Sequence, residues 1–280
     1  MNVDSWTAAS TLLKFWVLCT FFFLVAPVIV IAIGSLADPD THYVEFPPKS
    51  LSLAWYTRIP AEFGAAFLNS VYVAAAASVI SSAIGILAAF GLVRGQFFGV
   101  TFVRGLLMSP LQVPHIVLGV VFLQFYLFIG SEIGVRPLGT YTGLIIAHVI
   151  FTFPYVVGTV VPVLERFDCA LEEAAVSLGA SKFSTFRRVT IPIIAPAVFA
   201  GGLFAFIMSF GDVPVSVFIV NSGLNTLAVA IFQAIEFDYS PAILALSTLV
   251  VIFSMIVVVI TQKIAGLEVL AKGGTRQAAT

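Results

Sequence analysis

"EEAAVSLGASKFSTFRRVTIP" occupies residues 172–192 and is the most polar stretch in the interior of an otherwise apolar chain. Long apolar runs flank it on both sides, and its reading decides whether they are buried core segments or membrane spans. Of the 280 residues, 60% are hydrophobic and only 10% are charged, against about 25% charged in a typical soluble domain. So few charges cannot cover a soluble surface. The bilayer is the expected solvent, and residues 1–280 are expected to form one membrane domain. A net charge of −1 points to no nucleic-acid partner.

A membrane helix needs about 20 apolar residues. Uncharged runs of that order occur at 15–37, 63–93, 105–131, 137–164 and 239–262. A further stretch, 189–235, is interrupted only by Asp212 and is long enough for a span plus an apolar return, with "NSGLNT" (221–226) supplying the turn residues that end the span. The expected fold is therefore an all-α polytopic membrane protein with six transmembrane helices. The first run is long for a signal peptide and lacks a small-residue cleavage site, so it reads as a retained helix.

Lys and Arg set the orientation. With both termini in the cytoplasm, Lys14, Arg94, Arg104, Arg166, Lys182, Arg187, Arg188, Lys263, Lys272 and Arg276 lie inside. Only Lys49, Arg58 and Arg136 then lie outside. The outer connections fall near 38–62, 132–139 and 221–240, and "LAVAIFQAIEF" in the last reads as a short helix at the outer interface. The only sizeable cytoplasmic loop, about 165–192, lies between spans four and five.

Residues Glu172 to Leu178 favour helix, and two glutamates near its start suit the positive end of the helix dipole. Gly179 is the place for that helix to stop or bend. A second helix is expected from about Ser181, with Lys182, Arg187 and Arg188 on its polar side and Phe183, Phe186 and Val189 in an apolar stripe. Pro192 marks the return to the membrane. The product is a short helix–turn–helix on the cytoplasmic face, either a connector resting on lipid or a plug for another protein.

The order of residues favours the plug. Glu173, Ala174, Ala175, Gly179, Val189, Ile191 and Pro192 fall in the register Glu-Ala-Ala, three residues, Gly, nine residues, aliphatic, any residue, aliphatic, Pro. That pattern resembles the cytoplasmic signature of permease subunits in binding-protein-dependent ABC importers, with Val and Ile where Ile and Leu are usual. The resemblance implies a coupling helix that docks on a separate ATPase, carried here by Glu172, Glu173, Ala174, Ala175, Ser177, Leu178, Gly179, Ala180 and Pro192. It also implies a dimer of ATPase subunits using ATP and Mg, a second related permease or a copy of this one, a periplasmic binding protein, and a bacterial inner-membrane location. The permease core is expected over about 63–264. The chain carries no G-x-x-x-x-G-K-[ST] phosphate loop and no G-x-S-x-G elbow, so it is expected to bind no cofactor and to be no enzyme.

Ionisable groups inside spans are costly and mark pathways. Asp212, in "SFGDVPVSVF" (209–218), is the acid placed within a span, where Gly211 and Pro214 can break the helix. It reads both as a cap on the restarted helix and as a carboxylate attracting a cation. Ser209, Phe210, Asn69, Tyr72 and Gln112 complete the expected path; Gln112 sits between prolines in "SPLQVPHIVLG" (109–119), where a broken helix can line a route. "AAAASVISSAIG" (74–85) suits close helix packing, within the chain or against a second permease. His42, His115 and His148 show no ligand spacing, so no metal is expected.

"SFGDVPVSVFI" and "LNTLAVAIFQAIEFDYSPAILALST" resemble the final part of polyamine-type permeases, with Gly211 in place of the first of two acids. This resemblance implies a small cationic solute such as spermidine or putrescine. The wider group includes importers of opines, aminophosphonates, iron and thiamine. An ion-coupled secondary transporter would show several intramembrane charges, where this chain offers Asp212.

Overall fold

A computed structural model describes residues 3–40, 44–237 and 240–277, with side chains over 13–40, 44–237 and 240–260. The elements are α1 (Val3–Gly34), α2 (Ala54–Thr57), α3 (Glu62–Arg94), α4 (Val100–Met108), α5 (His115–Glu132), α6 (Tyr141–Glu165), α7 (Ala170–Ser177), α8 (Lys182–Thr185), α9 (Ile191–Phe210), α10 (Leu227–Phe237) and α11 (Pro241–Gln277). Among the described residues, six helical segments are long and apolar enough to cross a membrane: Leu13–Gly34, α3, α5, α6, Lys182–Phe210 and Pro241–Ile260.

The chain divides into two units. One takes its described residues from 1–61 and 233–258, and its core joins Ala37, Trp55, Ala242 and Ala245. The "FPPKSLSLAWY" segment (46–56) runs through bends into α2 and is fixed here by its last residues. Trp55 Nε1 donates to the Asp38 carbonyl at 3.2 Å, and the hydroxyls of Ser35 and Tyr56 share a 2.7 Å hydrogen bond.

The other unit takes its described residues from 62–232 and 259–277. Its centre is α6, whose most apolar 18-residue window is 61% buried, against 33% or less for the other spans. Leu144, Ala147, Phe151, Val156, Val157 and Val160 of α6 are fully enclosed, packed by α3 and α9. The small residues of 74–85 do their packing inside this unit: Ala74, Ala77, Ser81 and Gly85 are buried at helical spacing along α3. Ser81 and Thr152 share a 2.8 Å hydrogen bond, and Ser78 donates to the Gly202 carbonyl at 2.6 Å. These tie α3 to α6 and to α9.

Two expectations need correction, while one break falls where the prolines around Gln112 placed it. The run 105–131 is interrupted there. It holds α4, a short 3-10 turn over Ser109–Leu111, and α5 from His115. Pro110 and Pro114 cannot donate backbone hydrogen bonds, so the break falls between them. The helix starting at Lys182 does not end at Pro192. It runs on into α9 through a π turn over Phe186–Thr190, where the Ile191 N–H reaches the Phe186 carbonyl. The wider turn makes room for a proline ring that would otherwise press on the carbonyl four residues back. The expected helix–turn–helix is therefore α7, a turn, and the start of a span. Lastly, the span does not reach "NSGLNT". It ends at Phe210, and Asp212 lies beyond the helix in a segment with one 3-10 turn, Ser216–Phe218, where Asp212, Val215, Ser216 and Ile219 are buried. Apolar residues are needed there for burial, not for helix, and hydropathy does not separate the two.

Candidate functional site

The polar stretch 172–192 folds onto the ends of α3, α6 and α9. Cys169 precedes α7, and Glu172 and Glu173 occupy its first turn. Gly179 closes it with φ at +89°. The Ala180 N–H reaches the Ala175 carbonyl at 3.0 Å and the Gly179 N–H reaches the Val176 carbonyl at 2.9 Å. This is the paired bond pattern that ends a helix through a left-handed residue, the conformation glycine adopts at least cost. Ser181 then starts α8, its hydroxyl accepting from the Ser184 N–H.

No residue of α7 is fully buried. Glu173, Ala174, Val176, Ser177, Leu178 and Gly179 are exposed, Leu178 at 89% of its surface. Ala175 and Ala180 are half-buried, and Pro192 is exposed on the following helix. Glu172 is different. Arg94 grips it through two parallel bonds, Nη1 to Oε2 at 2.8 Å and Nη2 to Oε1 at 3.0 Å. The Thr190 hydroxyl also donates to Oε1. Burial pushes the Glu172 carboxyl up, but the bonds from Arg94 and Thr190 and the Arg94 charge outweigh it and hold it below its ordinary range. The Arg94 guanidinium lies 5.0 Å from the Phe90 ring and 5.4 Å from the Phe167 ring. A second pair, Arg104 to Glu165 at 2.6 Å, ties α4 to the end of α6. Neither arginine was marked by the sequence, because each meets its partner across more than 60 positions.

The second cluster surrounds Asp212. Its Oδ2 accepts from the backbone N–H of Val215 at 3.2 Å and of Ser216 at 2.8 Å, and from the Ser216 hydroxyl at 2.9 Å. This is the capping role, applied to the 3-10 turn. Oδ1 is buried without a hydrogen bond and faces His115 Nδ1 at 3.7 Å. His148, fully buried on α6, bonds the hydroxyls of Ser209 at 2.6 Å and Ser216 at 3.0 Å. One polar knot thus joins α5, α6, the end of α9 and the segment after it. Gly119 lets α5 approach: a Cβ there would stand 2.6 Å from the Pro214 carbonyl oxygen and from Phe218 Cδ2. Among the described residues no group of His, Cys, Asp and Glu is gathered for a metal.

The other expected path residues do not join this knot. Phe210 is buried against the rings of Phe67 and Phe206. Asn69 donates to the Asn225 carbonyl at 3.0 Å and accepts from the Tyr141 hydroxyl at 2.6 Å. Tyr72 stands edge-on to Tyr141, 5.2 Å between rings. These three form a separate cluster near the start of α6. Gln112 is exposed in the break before α5, and its N–H reaches the Ser109 carbonyl. His115 and His148 carried the informative signal, two histidines in uncharged runs; nothing in the sequence placed them around one aspartate.

Residues 81–266 match the family described as binding-protein-dependent transport system inner membrane component. Among curated relatives, the spermidine/putrescine transport system permease protein PotC of Haemophilus influenzae is 31% identical over 246 residues, covering 87% of this chain and 92% of that protein. The putrescine transport system permease protein PotI of Escherichia coli is 31% identical over 234 residues, 82% of either chain. Among solved structures, a bacterial ABC transporter involved in the import of the acidic polysaccharide alginate superposes with a TM-score of 0.72. It is 17% identical and covers 94% of this chain and 98% of that one. The MetNI methionine ABC transporter gives 0.53 at 20% identity, covering 72% and 96%. At these identities the structural likeness is one of fold.

Proposed function

The chain belongs to the family of binding-protein-dependent transport system inner membrane components, and we propose that it forms half of the path by which an ATP-driven importer admits a small cationic solute of the polyamine class. It is a multi-pass inner-membrane permease, and its relatives are transport subunits rather than enzymes. The remaining half of the path is assigned to a second permease, a related chain or a copy of this one. A periplasmic binding protein delivers the solute, and a dimer of separate ATPase subunits supplies the hydrolysis of ATP with Mg. In this reading both termini face the cytoplasm, the orientation that the distribution of Lys and Arg favours.

The observation that carries the coupling role is α7 itself. It is a helix with no fully buried residue, ended at Gly179, whose small residues Ala174, Ser177 and Gly179 are exposed together with Leu171, Val176 and Leu178. Such a surface suits insertion into a groove on a partner. Glu173, Ala174, Ser177, Leu178 and Gly179 are the residues offered to it. The cation reading is supported by the names of the relatives and by Asp212, whose buried Oδ1 has no hydrogen bond.

Uptake of radiolabelled putrescine and spermidine by cells lacking their other polyamine importers tests the reading. Expression of this chain with its neighbouring transport subunits should restore uptake, with competition by unlabelled polyamine. Uptake that requires the ATPase but ignores polyamines moves the substrate to another class of the group: opines, aminophosphonates, iron or thiamine. Uptake that needs no ATPase and follows an ion gradient overturns the importer mechanism.

A further inference from the structure

We propose that Arg94, Glu172 and Thr190 form a clasp that converts a push on α7 into movement of the spans, so that Glu172 is a transmission residue and not a docking contact. The proposal rests on the reading of α7 as the helix that meets the ATPase.

The geometry separates two adjacent glutamates. Glu173 is exposed and free to meet a partner. Glu172 has only 20% of its side chain exposed, and both of its oxygens are occupied. Arg94, its main partner, is the last residue of α3. Thr190 is buried and closes the π turn from which α9 starts. The rings of Phe90 on α3 and of Phe167, just past the end of α6, lie 5.0 Å and 5.4 Å from the guanidinium. One carboxylate therefore ties α7 to the ends of α3 and α9, and through the stacked arginine to the end of α6.

No residue of α7 is fully buried, and Ala175 is only half-buried, so the polar link at its first turn is a separate path for force into the spans. Two parallel charged hydrogen bonds resist both rotation and sliding, which a single bond does not. The π turn adds the moving part: its widened backbone is a place where a helix can change pitch, and Thr190 holds that place to Glu172. A load on α7 thus arrives at α3 and at the hinge of α9 together.

The test uses the whole complex of permeases, ATPase and binding protein, reconstituted in proteoliposomes. Two quantities are read: the ATPase retained per permease, and the stimulation of ATP hydrolysis by the binding protein. Glu172→Gln should keep the ATPase and the basal hydrolysis, while stimulation falls about tenfold, the scale of losing charged hydrogen bonds. Arg94→Lys, which keeps the charge and loses the fork, should fall part of the way. Thr190→Val removes one donor without changing shape, should fall about threefold, and carries the test if the larger changes impair insertion. Exchanging the charges, Arg94→Glu with Glu172→Arg, should recover stimulation relative to either single change.

Unchanged stimulation in Glu172→Gln and Thr190→Val overturns the clasp. Loss of the ATPase from the Glu172→Gln complex also overturns it, because Glu172 is then a docking contact. Failure of the underlying reading looks different. In that case Gly179→Asp leaves the ATPase bound and its stimulation intact.

Discussion

Asp212 serves two demands with two oxygens. Oδ2 is spent on the N–H groups of Val215 and Ser216, and Oδ1 is left facing His115. Asp212→Asn keeps an oxygen for the cap and removes the charge. The expected result is unchanged protein in the membrane with about tenfold lower cation uptake at limiting solute, the scale of one charged contact. Uptake equal to wild type would leave Asp212 with capping alone. The Glu172 carboxylate makes a prediction of another kind. Its pKa lies below the ordinary value of 4.5 when folded, so its anchoring is fully present above about pH 4.5 and is lost as pH falls through the lowered value. Thermal unfolding in detergent should separate wild type from Glu172→Gln at pH 7. The gap should narrow as the pH falls below 4.5 through the lowered value and close once the carboxylate is protonated, and a gap that stays constant throughout acid titration would mean that the carboxylate charge is not what anchors α7.

Among the elements, α5 and α7 show how single glycines set geometry. At Gly119 the obstructing atoms include backbone, the Pro214 carbonyl oxygen and Val215 Cα, which cannot turn aside as a side chain would. Gly119→Val should push α5 from the segment after α9 and open the Asp212 knot. A lower unfolding temperature and lower membrane yield, at a cost of about 1–3 kcal/mol, are the expected readings; a stable variant with wild-type uptake would show that the contact is dispensable. Gly179→Asp acts on a surface instead. It places a charged side chain in a left-handed position at an exposed helix end, so uptake should vanish while the chain remains in the membrane. Normal uptake would remove α7 from the coupling path. The elements were unevenly legible. Spans were readable because bilayer thickness sets a minimum apolar length, and the breaks at Pro110, Pro114 and Gly211 because proline and glycine leave local marks. The extent of the last broken run was not. Residues 213–220 are as apolar as a span, yet the chain there is held by Asp212 and a 3-10 turn, and the Asn221–Leu224 bridge follows it.

For the whole molecule, the family was readable because the resemblance rests on a fixed order of residues along one loop. The contacts that hold that loop were not. Arg94 and Glu172 stand 78 positions apart, and no local pattern pairs them; only packing of α3, α6 and α9 brings them together. The same packing leaves much of the spans' surface apolar and outward, Leu68, Val79, Leu87 and Phe125 among it, as expected of helices that meet lipid or another permease. The proposed importer draws its energy from a separate ATPase, as its membership of the family suggests. Purification of the tagged chain from native membranes in gentle detergent should therefore recover a protein with a G-x-x-x-x-G-K-[ST] motif, together with a second permease or a second copy. Glu173→Gln with Gly179→Asp should release the ATPase and spare the permease contact, since both changes lie on the exposed face of α7 and its end. Recovery of the intact chain without any ATPase, in repeated preparations and in more than one detergent, would break the link between α7 and a motor, and transport by this chain would then need another source of energy.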